Sequence, residues 1–316
     1  MGGLFLGVDG GQSSTTALIG DENGKILGAG KGGPCNHVKT GDGREKFANA
    51  IRGCVGDACR QAGVDMDAVV FESACLGFSG GPKDKEPLLK EMIRSRRMQV
   101  STDAPIALAG ATGGEPGIIT IAGTGSICWG RNSQGRSARA GGWGYIFGDE
   151  GGAFDITRQA LRAALRLEEG WGPPTVLRAR LLEATGAESA NDLLHRCYTV
   201  DLPRPKIAAL SKVVDQAAEE GDTVARQILE RAAQELAEIT SAVRTQIFEK
   251  EELVMVAYIG GAFKSRLLRE RFRELVELGG NNRVGPPIYP PAAGALIEAY
   301  AAAGLRPALS SVPELK

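Results

Sequence analysis

A carboxylate at the mouth of a glycine-rich turn carries the clearest chemistry in this sequence. In Gly7-Val8-Asp9-Gly10-Gly11-Gln12-Ser13-Ser14-Thr15-Thr16 the acid precedes two glycines, and hydroxyls stand just behind them. Glycines admit positive φ and let backbone N–H groups come close to an anion. Asp9 could then hold a hydrated Mg²⁺ over a phosphate tail, because hard cations take oxygen ligands. An ordinary hairpin, with the acid satisfied by its own turn, has the same spelling, and this stretch alone leaves both readings open. A second Gly/hydroxyl turn, Gly123-Thr124-Gly125-Ser126, follows the apolar run Ile118-Ile119-Thr120-Ile121-Ala122.

The elements needed to position these turns are legible in outline. Leu4-Phe5-Leu6 reads as a buried strand and Thr15 to Ile19 as a second, rich in β-branched residues. Asn23-Gly24 suits a tight turn into Lys25-Ile26-Leu27. Gly32-Gly33-Pro34-Cys35-Asn36-His37 is a polar loop, and Phe47 to Ala62 has the period of an amphipathic helix closed by Gly63. Ala68-Val69-Val70-Phe71 and Ala74-Cys75-Leu76-Gly77 read as strands, with Phe78-Ser79-Gly80-Gly81-Pro82 a loop at the carboxyl end. A helix is expected from Glu86 to Arg96, and Arg94-Ser95-Arg96-Arg97 is then its solvated end. The strand Met98 to Ser101 runs into Thr102-Asp103-Ala104. This order favours a sheet with helical crossovers.

The second half opens with the same grammar. Gly117 to Ala122 is a strand, Ile127 to Gly130 returns from the turn, and Asn132 to Gly135 turns again. Either the molecule is duplicated, with a phosphate-facing turn in each half, or two hairpins are alike by chance. Gly141 to Gly152 mixes glycines with Trp143, Tyr145 and Phe147, which reads as a shaped loop with a purpose or a packed cover. Helices are expected over Ala153–Leu167, Val176–Thr185, Ser189–Tyr198, Pro205–Gly221 and Asp222–Phe248, the last with Asp222 as N-cap. The strand Leu253 to Ile259 ends in Gly260-Gly261-Ala262-Phe263. Helix Ser265–Leu278, a short strand from Val284 to Tyr289, a break at Pro290-Pro291 and helix Ala292–Ala302 complete the chain.

At 316 residues two domains are the better expectation. The net charge of −1 gives no whole-chain case for nucleic acid or membrane. No apolar run is long enough to span a bilayer and no signal segment is recognised, so a cytoplasmic protein is expected. The six cysteines form no C-x-x-C pair, which argues against a zinc knuckle and for reduced thiols.

Taken together and in order, these motifs resemble the superfamily of sugar and acetate kinases, heat-shock chaperone ATPases and actin. Within it the chain is similar to N-acetylglucosamine kinases of the BadF-type ATPase family. The first phosphate motif matches Gly7 to Thr16, the second Ile119 to Ser126, and the adenosine motif Val256 to Ala262. Pro291-Ala292-Ala293-Gly294-Ala295 resembles the second connecting helix. The resemblance implies an α/β fold of two ribonuclease-H-like domains, each a mixed sheet with flanking helices, with a nucleotide cleft between them. The expected division is an N-terminal domain over 1–110 and a C-terminal domain over 111–316.

The same resemblance implies residue roles. Gly11, Gln12 and Ser13 with Gly123, Thr124 and Gly125 would grip the phosphates of ATP, and Asp9 would order Mg²⁺ through its water shell. Gly260, Gly261 and Gly221, next to Asp222, would lie near the adenosine. Asp103 matches the catalytic aspartate that takes the proton of a sugar 6-hydroxyl; read without the resemblance it is a turn or helix cap. Asn36, Ser79, Ser126, Gly142, Trp143 and Asp149 match the sugar pocket, where an amide and carboxylates take paired hydroxyls and an aromatic face suits a pyranose. Core packing is the other reading of Trp143, and a helix cap that of Glu150. His195 reads as structural, and His37 as orienting the sugar loop.

Ile127 departs from the pattern, since relatives specific for N-acetylglucosamine tend to carry a polar residue there. Glucosamine, N-acetylglucosamine and N-acetylmuramic acid therefore all stay open as acceptors. The leading expectation is an ATP-dependent amino-sugar kinase, a homodimer like many relatives. The alternatives are an iron–sulfur activator ATPase of a dehydratase or reductase system, and a non-catalytic sensor on the same fold.

Overall fold

The computed structural model describes residues 2–11, 13–35, 38 and 42–313. They form two compact units, residues 1–115 with 287–316 and residues 116–286. The first unit opens with a meander of β1 (Leu4–Gly10), β2 (Thr15–Asp21) and β3 (Ile26–Gly32), antiparallel throughout. Helix α1 (Gly43–Gln61) leads to β4 (Ser73–Phe78), and α2 (Glu86–Met92) leads to β5 (Met98–Thr102). Both strands run parallel to β1, giving the order β3-β2-β1-β4-β5. Every residue of β4 is buried, as expected of a strand covered on both faces. Helix α3 (Asp103–Thr112) starts where β5 stops.

Side-chain alternation explains how closely α1 lies on β3. Gly28, Gly30 and Gly32 share one face of the strand. A Cβ on them would come within 2.0 Å of Ala58 O, 1.9 Å of Cys54 O and 2.4 Å of Ala50 O, respectively. Those carbonyls recur every fourth residue along one side of α1, so strand and helix meet backbone to backbone.

The second unit repeats the plan. β6 (Gly117–Ala122), β7 (Ser126–Arg131) and β8 (Ser137–Gly141) form an antiparallel meander. A helical stretch follows: α4 (Ala153–Glu168), α5 (Leu177–Thr185), α6 (Ala190–Tyr198), α7 (Arg204–Ala209), α8 (Ser211–Glu219) and α9 (Thr223–Ile247). The chain then returns as β9 (Val254–Ile259), α10 (Arg266–Leu278) and β10 (Asn282–Gly285). β9 lies parallel to β6 and β10 parallel to β9, giving β10-β9-β6-β7-β8. Read outward from β6, this is the order and direction of the first sheet read outward from β1. Duplication is thus a better account than chance. Helix α9 packs on this sheet, where the buried hydroxyls of Thr120 and Thr240 pair at 2.7 Å.

The last helix, α11 (Pro291–Ala302), goes back to the first unit. The Phe5 and Tyr300 ring centroids lie 4.4 Å apart, and Tyr300 Oη donates to Asp21 O at 2.6 Å. The tail expected in the second domain therefore belongs with the first, because an apolar helix needs the uncovered faces of β1 and β4.

Other expectations are corrected in detail. Ala68–Phe71 is not a strand; Phe71 alone bridges to Ser95. Helix α2 ends at Met92, and Ile93 is extended, so Arg94–Arg97 is a connection to β5 in which Arg96 pairs with Glu72. The helix expected over Pro205–Gly221 breaks at Leu210 into α7 and α8. The strand expected at Val284–Tyr289 lies earlier, at β10, and stops before Pro286-Pro287. Gly30→Ala is expected to lower unfolding free energy by about 1–3 kcal/mol, as overpacking against backbone does. Urea titration checks this, and an unchanged midpoint would contradict the close β3–α1 contact.

Candidate functional site

In the first unit the carboxyl ends of three parallel strands bring the chemistry together. Register places Asp9 beside Gly77 and Gly10 beside Phe78, and Phe78 beside Thr102. Asp9, Ser79 and Asp103 therefore gather at one sheet edge. Ser79 N donates to Gly10 O at 3.1 Å, and Ser79 Oγ donates to Asp103 Oδ2 at 2.8 Å. Asp103 is the first residue of α3, where a negative charge suits the helix dipole. Thr102, not Asp103, is the N-cap and no side chain caps the helix, while the Asp103 carboxylate is held by Ser79.

The glycine turn is built from backbone. Gly11 N donates to Ser14 O at 2.9 Å, and Gly11 O accepts from Cys35 N at 3.0 Å. Behind it, buried Thr15 donates from Oγ1 to Gly33 O at 2.7 Å and pairs with Cys35 Sγ at 2.9 Å. Ser13 is exposed on the turn; Gln12, Asn36 and His37 lie outside the described residues. Burial, and then the charge of Asp103, push Asp9 up to about 6. Lys85 was not singled out by its sequence. It is fully buried, and its Nζ donates to Gly81 O at 2.9 Å and to Asp84 Oδ1 at 3.3 Å. Asp84 Oδ2 in turn accepts from Val38 N at 3.4 Å, tying the Ser79 loop to the loop after β3.

In the second unit the turn Gly123–Ser126 is held by a helix start. Gly123 O accepts from Ala153 N at 2.8 Å and Thr124 O from Phe154 N at 3.0 Å, which occupies donors that a helix N-terminus leaves free. Gly260, at φ 116°, closes the turn from the other side: a Cβ there would lie 2.3 Å from Ala122 O. Its glycine is thus required by packing on the turn, whereas Gly123, Gly221 and Gly261 have open space where a Cβ would stand. Asp222 caps α9 by accepting from Ala225 N at 2.8 Å, as expected.

The loop after β8 brings Ser126, Gly142 and Asp149 together. Gly142 N donates to Ser126 O at 2.9 Å, and Ser126 Oγ donates to Glu150 O at 2.6 Å. Asp149, only 6% exposed and at φ 67°, accepts from Ser126 N at 3.4 Å and from Arg204 Nη2 at 2.7 Å. Arg204 stacks over the Tyr145 and Phe154 rings at 4.7 and 5.6 Å. No local pattern could have linked it to Asp149, 55 residues away. Ile127 lies against Gly142, with Cδ1 2.7 Å from where a Cβ would stand. Trp143 is 67% exposed with Arg139 over its ring at 4.7 Å, which excludes core packing. Glu150 does not cap α4; Asp155 accepts from Gly151 N at 3.3 Å there. His195 is exposed on α6.

Asp9 gives a pH prediction for the ligand-free protein. A folded pKa of about 6 above the ordinary 3.8 means the folded state holds a proton longer than the unfolded state. Its contribution is complete below about pH 4 and is lost as pH rises to about 6, by at most roughly 3 kcal/mol. The stability of wild type minus that of Asp9→Asn should fall across this window in urea titrations; a flat difference would contradict the burial of Asp9.

Residues 6–299 match the BadF/BadG/BcrA/BcrD ATPase family. An N-acetylmuramic acid/N-acetylglucosamine kinase of Clostridium acetobutylicum is 34% identical over 279 residues, 86% of this chain and 90% of that one. An N-acetyl-D-glucosamine kinase of Dictyostelium discoideum is 33% identical over 82% of this chain and 85% of that one. A crystal structure from Chromobacterium violaceum, assigned to the N-acetylglucosamine kinases, superposes with a TM-score of 0.75 at 26% identity, covering 93% and 98% of the two chains.

Proposed function

The chain belongs to the BadF/BadG/BcrA/BcrD ATPase family, and we propose that it is an ATP-dependent kinase acting on the 6-hydroxyl of an amino sugar of the N-acetylglucosamine type. The observation that carries this reading is the Ser79–Asp103 hydrogen bond at the strand ends that also bear Asp9. Ser79 occupies Oδ2 of Asp103 and so orients the carboxylate, leaving Oδ1 to receive a proton. The sugar hydroxyl gives that proton to Asp103 as its oxygen bonds to the γ-phosphorus of ATP. The bond from that phosphorus to the bridging oxygen breaks, and ADP leaves. In the Gly123–Gly125 turn, α4 holds the Gly123 and Thr124 carbonyls and Gly125 O takes the Gly123 N–H, which leaves the Thr124 and Gly125 N–H groups for phosphate oxygens. The names of the curated relatives support the same reading.

The residues fit a magnesium ion. Asp9 is an oxygen donor raised to about 6 by burial and a like charge, and a cation nearby would favour its ionised form. Bound with ATP, Mg²⁺ supplies neutralising charge to the phosphates. Iron–sulfur ligation finds less support: Cys54 and Cys128 are pushed up to about 12 and Cys59 to about 11 by burial, whereas cluster ligands are thiolates.

Asp103→Asn is expected to cut kcat by roughly 10²–10⁴ in a coupled ADP-release assay with N-acetylglucosamine, with KM little changed. Undiminished turnover in the variant, or none by wild type on any hexosamine of a panel, would overturn the reading.

A further inference from the structure

Lys85 stands where two ordinary preferences are broken. Its side chain is fully buried, and the residue is the N-cap of α2, an end of a helix that disfavours a cation. An ammonium taken out of water is costly unless it is paired and hydrogen-bonded. Nζ meets that demand by donating to Gly81 O at 2.9 Å and to Asp84 Oδ1 at 3.3 Å, with the Phe78 ring centroid 5.9 Å away. The pairing is mutual. Burial works to raise Asp84, yet the hydrogen bond and charge of Lys85 hold its carboxyl below the ordinary range. An unbranched apolar side chain of similar volume would fill the same space at less cost, so packing gives no reason for the charge.

What the pair joins supplies that reason. Gly80 and Gly81, at φ 80° and 93°, follow Ser79 and have no side chains with which to anchor their loop. Lys85 anchors it through Gly81 O. Asp84 passes the hold to a second loop, since its Oδ2 accepts from Val38 N at 3.4 Å. On the other side of Asn36 in the sequence, Cys35 N donates to Gly11 O at 3.0 Å. Two amides thus pin the chain before and after Asn36-His37, one on the glycine turn and one on the Lys85–Asp84 pair. The glycine turn closes through Gly11 N and Ser14 O, a contact in which Lys85 takes no part.

We infer that Lys85, acting through Asp84, is a positioning residue for the acceptor: it sets the Ser79 loop against the loop that carries Asn36. The inference rests on the amino-sugar kinase reading and deepens it. Its test is calorimetric titration of the full chain with N-acetylglucosamine and, separately, with magnesium and ATP, beside ADP release. Lys85→Met should raise the sugar Kd roughly ten- to a hundredfold, the scale of a misplacement of about 1 Å, and lower kcat. The Kd for ATP should stay within about twofold, because the glycine turn closes on its own backbone. Asp84→Asn, which keeps an oxygen for Val38 N but loses the ion pair, should raise the sugar Kd about three- to tenfold. The double variant Lys85→Met/Asp84→Asn leaves no unpaired buried charge and should be no worse than Lys85→Met, since both residues act along one path. Should Lys85→Met fail to fold, Asp84→Asn and the double variant carry the same comparison. An unmoved sugar Kd, equal losses for sugar and ATP as general loosening would give, or additive losses in the double variant would overturn the inference. Wild type that binds the sugar without releasing ADP would overturn the kinase reading, while the Kd values still decide the role of Lys85. Wild type that binds no sugar would overturn both.

Discussion

Two carboxylates at the ends of neighbouring parallel strands set the terms for the first unit. Asp9 closes β1, Asp103 follows β5, and strand register leaves no way to separate them without unpairing the sheet. The Asp9 carboxylate makes no hydrogen bond among the described residues, and the turn beside it is closed by Gly11 N and Ser14 O. A half-buried acid beside another acid lowers stability at neutral pH. A cation beside Asp9 would offset that cost by favouring its ionised form. Ser79 and the buried Lys85–Asp84 pair are then intelligible as supports that fix the loops around the acids.

The two sheets share one plan yet are fitted out differently. In each, the second strand returns antiparallel from a glycine turn and the outer strands run parallel to the first. The first unit spends little chain between β3 and β4 and covers its sheet with α1 and α11. The second inserts α4 to α9 between β8 and β9. That insertion supplies both the α4 donors that hold the Gly123 turn and the Arg204 that holds Asp149. The glycine turns are thus common to the duplicated part, whereas the contacts that hold the Gly123 turn and Asp149 come from what was added.

What could be read in the chain follows from the range of the signals. Hairpins, caps and amphipathic helices are local, so β1 to β3, α1, α4 and the Asp222 cap were legible from spacing alone. Helix α3 left no trace because almost all of it is buried and Asp103-Ala104-Pro105-Ile106-Ala107-Leu108 has no polar face to give it a period. The break at Leu210 carries neither Gly nor Pro, and the return of α11 depends on which sheet face is bare. Ser79 and Asp103 in the first unit, and Ser126, Gly142 and Asp149 in the second, could be named as candidates because they lie in motifs. Lys85 and Arg204 could not, since only the folded chain gives each its role.

Asp149 shows how much the site depends on that last kind of residue. Its backbone at φ 67° is in the left-handed region, where a non-glycine residue is held at a cost of order 1 kcal/mol. Glycine is used at Gly144 and Gly151 nearby for the same backbone sign, so glycine at 149 would remove the strain. An aspartate there, 6% exposed, brings a second cost, that of burying charge. Arg204 offsets the second cost, and the Ser126 amide adds a further bond. Strain and burial accepted together, with a partner brought from 55 residues away, point to the carboxylate itself as the retained feature. Packing would have been served by less.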